Sequence, residues 1–310
     1  MSGAAESAPL RSLLFVPGDS ARKQEKALAT DADALILDLE DSVDPGNLPA
    51  ARERVAGLLG AQGAHGTPEL WVRVNSPASG LLRADLESIC GARLPEGIVL
   101  PKISAAAEIL DAAACLTGLE KRLGVAEGRT RLLIIATETP QGLLALPQYP
   151  AVLGGAPAVV RRVAGLTWGA EDLSAALGAL GKREANGTLS FTFQLARTTC
   201  LLAAVALGVQ AIDGVHTEFR DLEGLQRELA AARRDGFTGK LAIHPDQLAA
   251  INAAFTPSEA ECLHARRVVA AFAASPGAGV ASLDGRMIDR PHLLQAQRVL
   301  AAAQRRVRGA

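Results

Sequence analysis

The sequence predicts a TIM, or (β/α)₈, barrel followed by a C-terminal helical extension. Short runs rich in Val, Ile and Leu recur along the chain, and most are continuous, as expected for parallel strands covered on both faces. Segments with helical periodicity separate these runs, which implies parallel pairing through right-handed crossovers. Eight strand–helix units in roughly 250 residues match the usual size of this barrel.

The predicted strands are short. They are Ser12–Val16, Ala34–Leu39, Leu70–Val74, Gly97–Leu100, Leu132–Thr137, Val163–Trp168, Ala211–Val215 and Leu241–His244. The competing fold is an open, doubly wound sheet, whose dinucleotide-binding form carries a GxGxxG motif after its first strand. Pro17-Gly18-Asp19 stands there instead, which favours the barrel.

Helical patterns fill the intervals between the strands. They include Ala21–Thr30, Leu48–Leu59, Ala105–Leu119, Ala175–Gly181, Thr192–Gly208 and Leu222–Arg234, and Pro245–Ala253 is expected to be the last barrel helix. The barrel domain is therefore assigned to residues 1–255 and the extension to residues 256–310. Within the extension, helices are expected over Glu259–Ala274 and Arg290–Arg306, interrupted at residues 275–279. An extension of this size buries little surface alone, so it should pack on its own barrel, on a neighbour, or on both.

Composition excludes several classes of function. The formal net charge of −1 and the 3% of aromatic residues argue against a nucleic-acid-binding surface. The four cysteines stand apart without a CxxC motif, which favours free thiols in a reducing compartment. A secretory leader and an apolar run of roughly 18 residues are both missing. We expect a cytoplasmic protein that binds neither nucleic acid nor membranes.

Acidic residues follow several predicted strands, at the end of the barrel where active sites lie. They are Asp19, Asp38, Glu40, Asp41, Glu138, Glu171, Asp172 and Asp213. Carboxylates gathered at one rim repel each other, so a cation should lie among them. Oxygen ligands without a His or Cys cluster point to Mg²⁺ or Mn²⁺ rather than zinc.

Glu138 and Asp172 are the strongest candidates for metal ligands. Each follows a well-defined strand and stands where a helix begins, and Mg²⁺ commonly takes one or two protein carboxylates. The competing interpretation is structural. In that case Asp172 caps its helix and Glu138 belongs to a surface ion pair.

Arg73 and Asn75, at the end of the third strand, are candidates for substrate binding. The guanidinium of Arg73 matches a carboxylate bidentately, although it could instead pair with the acids between Asp38 and Asp41. His244, at the end of the eighth strand, is more typical of a satisfied structural histidine than of a catalyst. Lys102 ends the fourth strand and is left without a role.

Segments spread over nearly the whole chain resemble the citrate lyase β-subunit-like family, part of the HpcH/HpaI aldolase/citrate lyase superfamily, which includes malyl-CoA and citramalyl-CoA lyases. They occur in family order. They are LLFVPGD (Leu13–Asp19), LDLEDSV (Leu37–Val43), VRVNS (Val72–Ser76), LPK (Leu100–Lys102), ETPQGLL (Glu138–Leu144), GAEDL (Gly169–Leu173), QAIDGV (Gln210–Val215), FTGKLAIHPDQ (Phe237–Gln247) and MIDRPHLLQAQ (Met287–Gln297).

The resemblance implies a TIM barrel in which Glu138 and Asp172 bind Mg²⁺ and Arg73 binds the acid group of the substrate. It further implies that Asp289 of the MIDRP segment is the catalytic acid/base. In lyases of this type a C-terminal flap delivers that residue to a neighbouring subunit, so a trimer or a larger homo-oligomer is expected. From position alone, Asp289 would be interpreted as a helix cap before Pro291.

The implied reaction is the Mg²⁺-dependent cleavage of a 3-hydroxyacyl-CoA to acetyl-CoA, or a homologue, and a 2-oxo acid. Arg22 and Lys23 could contact the CoA phosphates, although exposed helix cations are usually just solvated. Phe15 and the segment Asp44–Pro49 depart from some relatives, at positions relevant to acid specificity and CoA binding. Two alternatives remain open: a citrate lyase subunit acting on an acyl-carrier-protein thioester, and a CoA-independent pyruvate aldolase.

Overall fold

A computed structural model of the chain describes residues 9–61, 68–91, 93–274 and 279–307. The chain divides into two compact units. One comprises the described residues of Arg11–Ile251, and the other comprises the described residues from Asn252 onward together with Pro9 and Leu10. Within the described residues, no helix combines the length and the apolar character that a membrane span requires.

The first unit contains eight parallel strands in sequence order. They are β1 Ser12–Pro17, β2 Ala34–Asp38, β3 Glu69–Arg73, β4 Gly97–Leu100, β5 Arg131–Ile135, β6 Val163–Thr167, β7 Gln210–Asp213 and β8 Gly239–Ala242. Strand β1 pairs with β8, with Leu13 opposite Leu241, so the sheet closes on itself. Every residue of β2 is buried, because the barrel interior covers one face and helices cover the other. The predicted TIM barrel is confirmed.

Helices connect the strands. They are α1 Ala21–Leu28, α2 Leu48–Ala61, α3 Leu82–Ile89, α4 Ala106–Arg122, α5 Pro140–Ala145, α6 Tyr149–Gly154, α7 Pro157–Arg162, α8 Ala170–Leu177, α9 Phe191–Leu207, α10 Leu222–Asp235 and α11 Leu248–Ala254. The bounds predicted for the helix at Ala175–Gly181 are wrong, because the observed helix begins five residues earlier and ends four residues earlier. Helix α8 begins at Ala170, where Glu171 and Asp172 in its first turn complement the positive end of the helix dipole. The predicted start at Pro245 is instead a 3₁₀ turn, Pro245–Gln247, that precedes α11.

The second unit contains two helices, α12 Glu259–Ala273 and α13 Arg290–Val307, and a two-stranded antiparallel hairpin between them. The hairpin strands are β9 Val280–Leu283 and β10 Arg286–Asp289. The sequence analysis predicted only helices here, and the hairpin is a correction. Its turn is Asp284-Gly285, and both residues have positive φ, as the tightest hairpin turns require. Most of the interruption predicted at residues 275–279 lies outside the described residues.

A small apolar core stabilises the second unit. It is formed by Ala265, Val268, Ile288 and Ala296. Ile288 belongs to β10, whereas the other three side chains come from α12 and α13. The hairpin is therefore packed against both helices and holds the adjacent Asp289 at the start of α13.

Candidate active site

A cavity of about 760 Å³ lies at the carboxyl ends of the barrel strands, with a volume suited to a small-molecule ligand. Its lining combines charged groups that follow the strands with apolar side chains from the barrel interior. The charged groups include Asp38, Arg73, Glu138 and Asp172. All of the residues that line it belong to the first unit.

Glu138 is buried just beyond β5. Its Oε2 accepts a hydrogen bond from the backbone N–H of Lys102 at 2.6 Å. Burial raises the pKa of Glu138 to about 8, and the neighbouring Asp172 carboxylate adds to the shift because two like charges face each other. A further cation beside the two carboxylates would relieve this repulsion.

Asp172 lies in the first turn of α8 and remains partly exposed, with its Oδ1 3.3 Å from the Nζ of Lys102. Within the part of the chain that the structure describes, no group of three or more His, Cys, Asp or Glu side chains is placed to hold a metal. The donor set is thus at most a pair of carboxylates. That pair fits Mg²⁺, which commonly takes one or two carboxylates and fills its other positions with water and substrate oxygens.

Gly169 sets the position of the Glu138 side chain. A Cβ atom at residue 169 would lie 2.6 Å from Cγ and 3.0 Å from Oε1 of Glu138. Real Cβ atoms do not approach other carbons so closely, so any other residue here would displace the carboxylate. The glycine before α8 therefore brings the end of β6 against the acid that follows β5.

Arg73 makes the ion pairs that the sequence analysis gave as its alternative role. Its Nε and Nη2 each donate to Asp38 at 2.7 Å, and its Nη1 lies 3.1 Å from Glu40 and 3.3 Å from Asp41. The guanidinium also stacks on the Phe15 ring, 4.8 Å from the centroid. Burial disfavours the charged form of Asp38, but the contacts with Arg73 outweigh that effect and lower its pKa. The Nε and Nη2 atoms are thus held by Asp38, and Nη1 contacts Glu40 and Asp41, so all three guanidinium nitrogens contact a carboxylate.

Lys102 contacts both the Glu138–Asp172 pair and the Glu40–Asp41 pair. The sequence analysis gave it no role. Its φ of 52° is in the left-handed region, which is uncommon for a residue with a side chain. This backbone conformation directs the N–H to Glu138, while Nζ contacts Glu40 at 2.6 Å and Asp41 at 3.0 Å as well as Asp172. Burial raises the pKa of Glu40 to about 7, against the lowering effect of Arg73 and Lys102. A positive φ at a strand end is not readable from sequence.

The other predicted binding residues differ in how they are placed. Asn75 donates from Nδ2 to the Leu39 carbonyl at 3.0 Å and to Asp85 at 2.9 Å, which ties the end of β3 to α3. Among the described residues, neither Asn75 nor Arg22 lines the cavity, whereas the exposed Lys23 does. His244 also lines it, stacked on Phe219 with ring centroids 4.7 Å apart, and its Nδ1 accepts from the Asp246 N–H.

Asp289 ends β10 in the second unit, directly before α13. Its Oδ1 lies 2.5 Å from Nδ1 of His292, and both side chains remain about half exposed. The hairpin therefore presents a carboxyl group that solvent or a ligand can reach.

Residues 11–245 match the family described as HpcH/HpaI aldolase/citrate lyase. The chain belongs to this family. It is 37% identical over 298 residues to a (3S)-malyl-CoA thioesterase of Cereibacter sphaeroides, covering 96% of this chain and 95% of the relative. It is 36% identical to the mitochondrial citramalyl-CoA lyase of Rattus norvegicus, with coverage of 95% and 86%.

Solved structures of the HpcH/HpaI family agree with the fold. The CitE protein of Mycobacterium tuberculosis, crystallised with magnesium, acetoacetate and coenzyme A, superposes with a TM-score of 0.74 at 32% identity, covering 96% of this chain and 98% of that one. A citrate lyase from Burkholderia xenovorans LB400 superposes with a TM-score of 0.82 at 25% identity, covering 96% and 92%. The predicted family is confirmed.

Proposed function

We propose that this HpcH/HpaI family member is a Mg²⁺-dependent carbon–carbon lyase that cleaves a 3-hydroxyacyl-CoA to acetyl-CoA, or a homologue, and a 2-oxo acid. The observation that carries the proposal is the pair Glu138 and Asp172, two carboxylates close enough to repel each other, in a cavity sized for a small acid. The predicted ligands, magnesium and CoA, are those bound by the related mycobacterial CitE. The citramalyl-CoA lyase relatives act by the same class of reaction, as their name states.

Glu138 and Asp172 would hold the ion. Bound there, Mg²⁺ would stabilise the negative charge on the 3-hydroxyl oxygen of the substrate when that group loses its proton. Arg73 would bind the acid group through Nη1, which would exchange its contacts with Glu40 and Asp41 for the substrate, while Asp38 fixes the orientation of the guanidinium. Lys23, which lines the cavity, and Arg22, which precedes it on α1, are the cations proposed to meet the CoA phosphates.

Asp289 is the proposed catalytic acid/base. In the cleavage direction the 3-hydroxyl group loses its proton to solvent and becomes the carbonyl of the 2-oxo acid as the carbon–carbon bond breaks. The electron pair of that bond passes to the α-carbon of the thioester and gives the enolate, and the carboxyl group of Asp289 then donates a proton to that carbon. In the condensation direction the carboxylate removes the same proton. The half-exposed position of Asp289 on a small hairpin suits delivery to the cavity of a neighbouring subunit in a trimer or a larger assembly.

Hydrolysis of the thioester is a second candidate function, because one relative at 37% identity is named a malyl-CoA thioesterase. The two activities leave different products. Purified protein with Mg²⁺ would be given malyl-, citramalyl- and citryl-CoA, and both 2-oxo acid and free thiol would be measured. A lyase releases a 2-oxo acid and no free thiol. A thioesterase releases the free thiol of CoA and no 2-oxo acid.

Two other outcomes would replace the proposal. Turnover only with an acyl-carrier-protein thioester would indicate a citrate lyase subunit, and cleavage of free 4-hydroxy-2-oxo acids alone would indicate a pyruvate aldolase. A protein inert towards all of these substrates would refute the enzymatic proposal.

Asp289→Asn should lower kcat by about 10²- to 10⁴-fold, because the amide cannot exchange the proton that the enolate needs. Mg²⁺ affinity should stay unchanged, since the substitution leaves the barrel intact. Steady-state kinetics and calorimetric Mg²⁺ titration measure both quantities. Asp284→Asn is the matched control, because Asp284 lies in the same hairpin and pairs with Arg267 on the surface. Full activity of Asp289→Asn would remove this residue from the mechanism.

Gly169→Ala should weaken Mg²⁺ binding by about tenfold or more, as displacement of a ligand's support does in other metal sites. The added methyl group would push the Glu138 carboxylate away from its position. Gly181→Ala is the control, because a Cβ atom there meets no other atom within 4 Å. Equal Mg²⁺ affinity of the two variants would contradict the placement of Glu138 as a ligand.

Mg²⁺ affinity should also depend on pH. The metal-free pKa of Glu138 is about 8, so protons compete with the ion below that value and affinity should fall by about tenfold per pH unit. Above pH 8 the carboxylate is already ionised and the dependence should level off. Titration calorimetry between pH 6.5 and 9 tests this, and a flat profile would show that Glu138 does not meet the ion.

A further inference from the structure

The carboxyl group of Asp289 has a histidine as its hydrogen-bonding partner. Oδ1 of Asp289 lies 2.5 Å from Nδ1 of His292, a residue in the first turn of α13. The backbone N–H of Asp289 donates to the same nitrogen at 3.2 Å. Among the residues that the structure describes, neither a lysine nor an arginine pairs with Asp289. His292 is therefore the basic group that acts on this carboxyl group.

Helix capping does not explain the orientation of the Asp289 carboxyl group. An acidic residue directly before a helix usually caps that helix by accepting a backbone N–H. Asp221 does so before α10, where its side chain accepts from the Gly224 N–H at 2.8 Å. Asp289 holds the corresponding position before α13, but its partner is the imidazole ring. The carboxyl group is thus directed to a titratable side chain.

The backbone beside this pair is anchored, whereas the two side chains are open to solvent. Ile288, the residue before Asp289, belongs to the apolar core of the second unit. The side chains of Asp289 and His292 are 44% and 54% exposed. Solvent can therefore exchange protons with the pair while the start of α13 keeps the two groups in contact.

The short contact between Oδ1 and Nδ1 requires a proton between the two atoms. A carboxylate oxygen and an unprotonated imidazole nitrogen are both acceptors, and two acceptors come this close only when they share a hydrogen atom. The proton then belongs to the pair and not to either residue alone. The backbone N–H that also faces Nδ1 disfavours a hydrogen atom on the nitrogen and favours Oδ1, where an acid needs it.

A partner of this kind answers a difficulty in the chemistry of cleavage. An aspartic acid in water ordinarily loses its proton at about pH 4, so few such groups can act as acids near neutral pH. Imidazole ordinarily titrates at about pH 6.5. A carboxyl group that shares a proton with imidazole can therefore draw on a base that retains protons much closer to neutral pH.

We propose that His292 is a positioning residue that orients the Asp289 carboxyl group and shares with it the proton used in acyl-CoA cleavage. The inference rests on the proposed function, in which Asp289 exchanges that proton with the α-carbon of the thioester. His292 acts through the carboxyl group and does not itself touch the substrate.

The proton balance of this step is simple. In the cleavage direction the carboxyl group gives the shared proton to the enolate carbon, so an O–H bond breaks and a C–H bond forms. The pair is then one proton poorer, and solvent returns that proton to the exposed side chains. In the condensation direction the carboxylate removes a proton from the thioester α-carbon, and the pair holds it until solvent takes it. No further reactant is needed.

His292→Asn tests the sharing of the proton. The amide can occupy the place of Nδ1 and donate a hydrogen bond to Asp289, but it cannot act as a base. We expect kcat for malyl- or citramalyl-CoA cleavage to fall about ten- to hundredfold, less than loss of the acid itself, because solvent can still supply the proton slowly. The KM and the unfolding temperature should change little. Steady-state kinetics and thermal unfolding followed by circular dichroism measure these quantities.

His264→Asn is the matched control, because His264 is an exposed histidine of α12 in the same unit. It should leave kcat unchanged. His292→Ala should lose more activity than His292→Asn, and added imidazole should restore part of it, because the position of the missing ring is open to solvent. A purely structural role of His292 would instead lower the unfolding temperature and give no rescue by imidazole.

A double-mutant cycle tests whether His292 acts through Asp289. In the Asp289→Asn background, His292→Asn should lower kcat no further, because the amide at residue 289 has no proton to share. The same fractional loss in both backgrounds would overturn the proposal, and so would full kcat of His292→Asn in the otherwise unaltered chain.

Failure of this proposal can be told apart from failure of the lyase function. An unaltered chain that cleaves none of the thioesters would refute both. Cleavage that is strongly reduced by Asp289→Asn and unaffected by His292→Asn would leave the lyase function and remove the role of His292.

Discussion

Glu138→Gln is expected to lower kcat/KM for acyl-CoA cleavage by about 10³-fold or more, since a metal ion contributes several kcal/mol of charge stabilisation in the transition state. The amide keeps the size of the side chain but removes one of the two proposed anionic ligands. Asp172→Asn should act in the same direction. Kinetics across a Mg²⁺ series and calorimetric titration of the metal-free protein measure the loss of turnover and of affinity.

Glu223→Gln is a matched control for Asp172→Asn, because Glu223 is an acidic residue in the first turn of another barrel helix, α10, and is largely exposed. This control should bind Mg²⁺ and turn over substrate as the unaltered chain does. Undiminished turnover and Mg²⁺ binding by Glu138→Gln would show that the ion, if it binds, lies elsewhere.

Arg162→Met is expected to lower the free energy of unfolding by about 3–5 kcal/mol, the cost of leaving a buried charge without its partner. Arg162 donates from Nη1 to Oε1 of Glu120 and from Nη2 to Oε2, both at 2.8 Å. Both residues are buried, and the Thr130 carbonyl accepts a further bond from Nη1. Urea denaturation followed by circular dichroism measures the loss.

Arg161→Met provides the comparison, because the adjacent arginine is exposed and should cost under about 1 kcal/mol. Burial raises the pKa of Glu120, but Arg162 and the N–H groups of Thr130 and Gly128 lower it by more. The stabilisation from Glu120 is therefore complete above its ordinary pKa of 4.5 and is lost as the pH falls through the lower, folded-state value. Similar stability of the two methionine variants would contradict this account of the ion pair.

The barrel could be predicted because its signal is local. Continuous apolar runs such as those of β2 and β5 exist only where both faces of a strand are covered. Once the strands are placed, the position of Glu138 and Asp172 at one rim follows from the parallel order alone. The sequence therefore predicts that these two residues lie at the same rim.

The contacts at the rim could not be predicted, because they join residues far apart in the sequence. Lys102 and Glu40 are separated by 62 positions, and their contact depends on strand register and on a left-handed backbone at Lys102. The contacts of Asn75 could not be predicted either, because its amide donates to the distant Leu39 carbonyl and to Asp85 instead of lining the cavity. The roles of Arg73 in substrate binding and of Asp289 in proton transfer stay predictions.

The hairpin of the second unit was missed although it had a local signal. An Asp-Gly pair between short segments is a strong indication of a two-residue turn, and Asp284-Gly285 has that form. The hairpin strands are only four residues long each, too short to show a clear alternation of apolar and polar residues.

The position of Lys102 has a consequence for the protein before it meets any ion. Its ammonium group is a counterion for Glu40, Asp41 and Asp172 and reduces the repulsion among these carboxylates. The three side chains are therefore held together in the metal-free protein. In the proposed site, an arriving Mg²⁺ would displace the ammonium from Asp172, whereas Glu40 and Asp41 would retain it. Metal binding would then exchange one contact of Lys102 and leave its other two contacts in place.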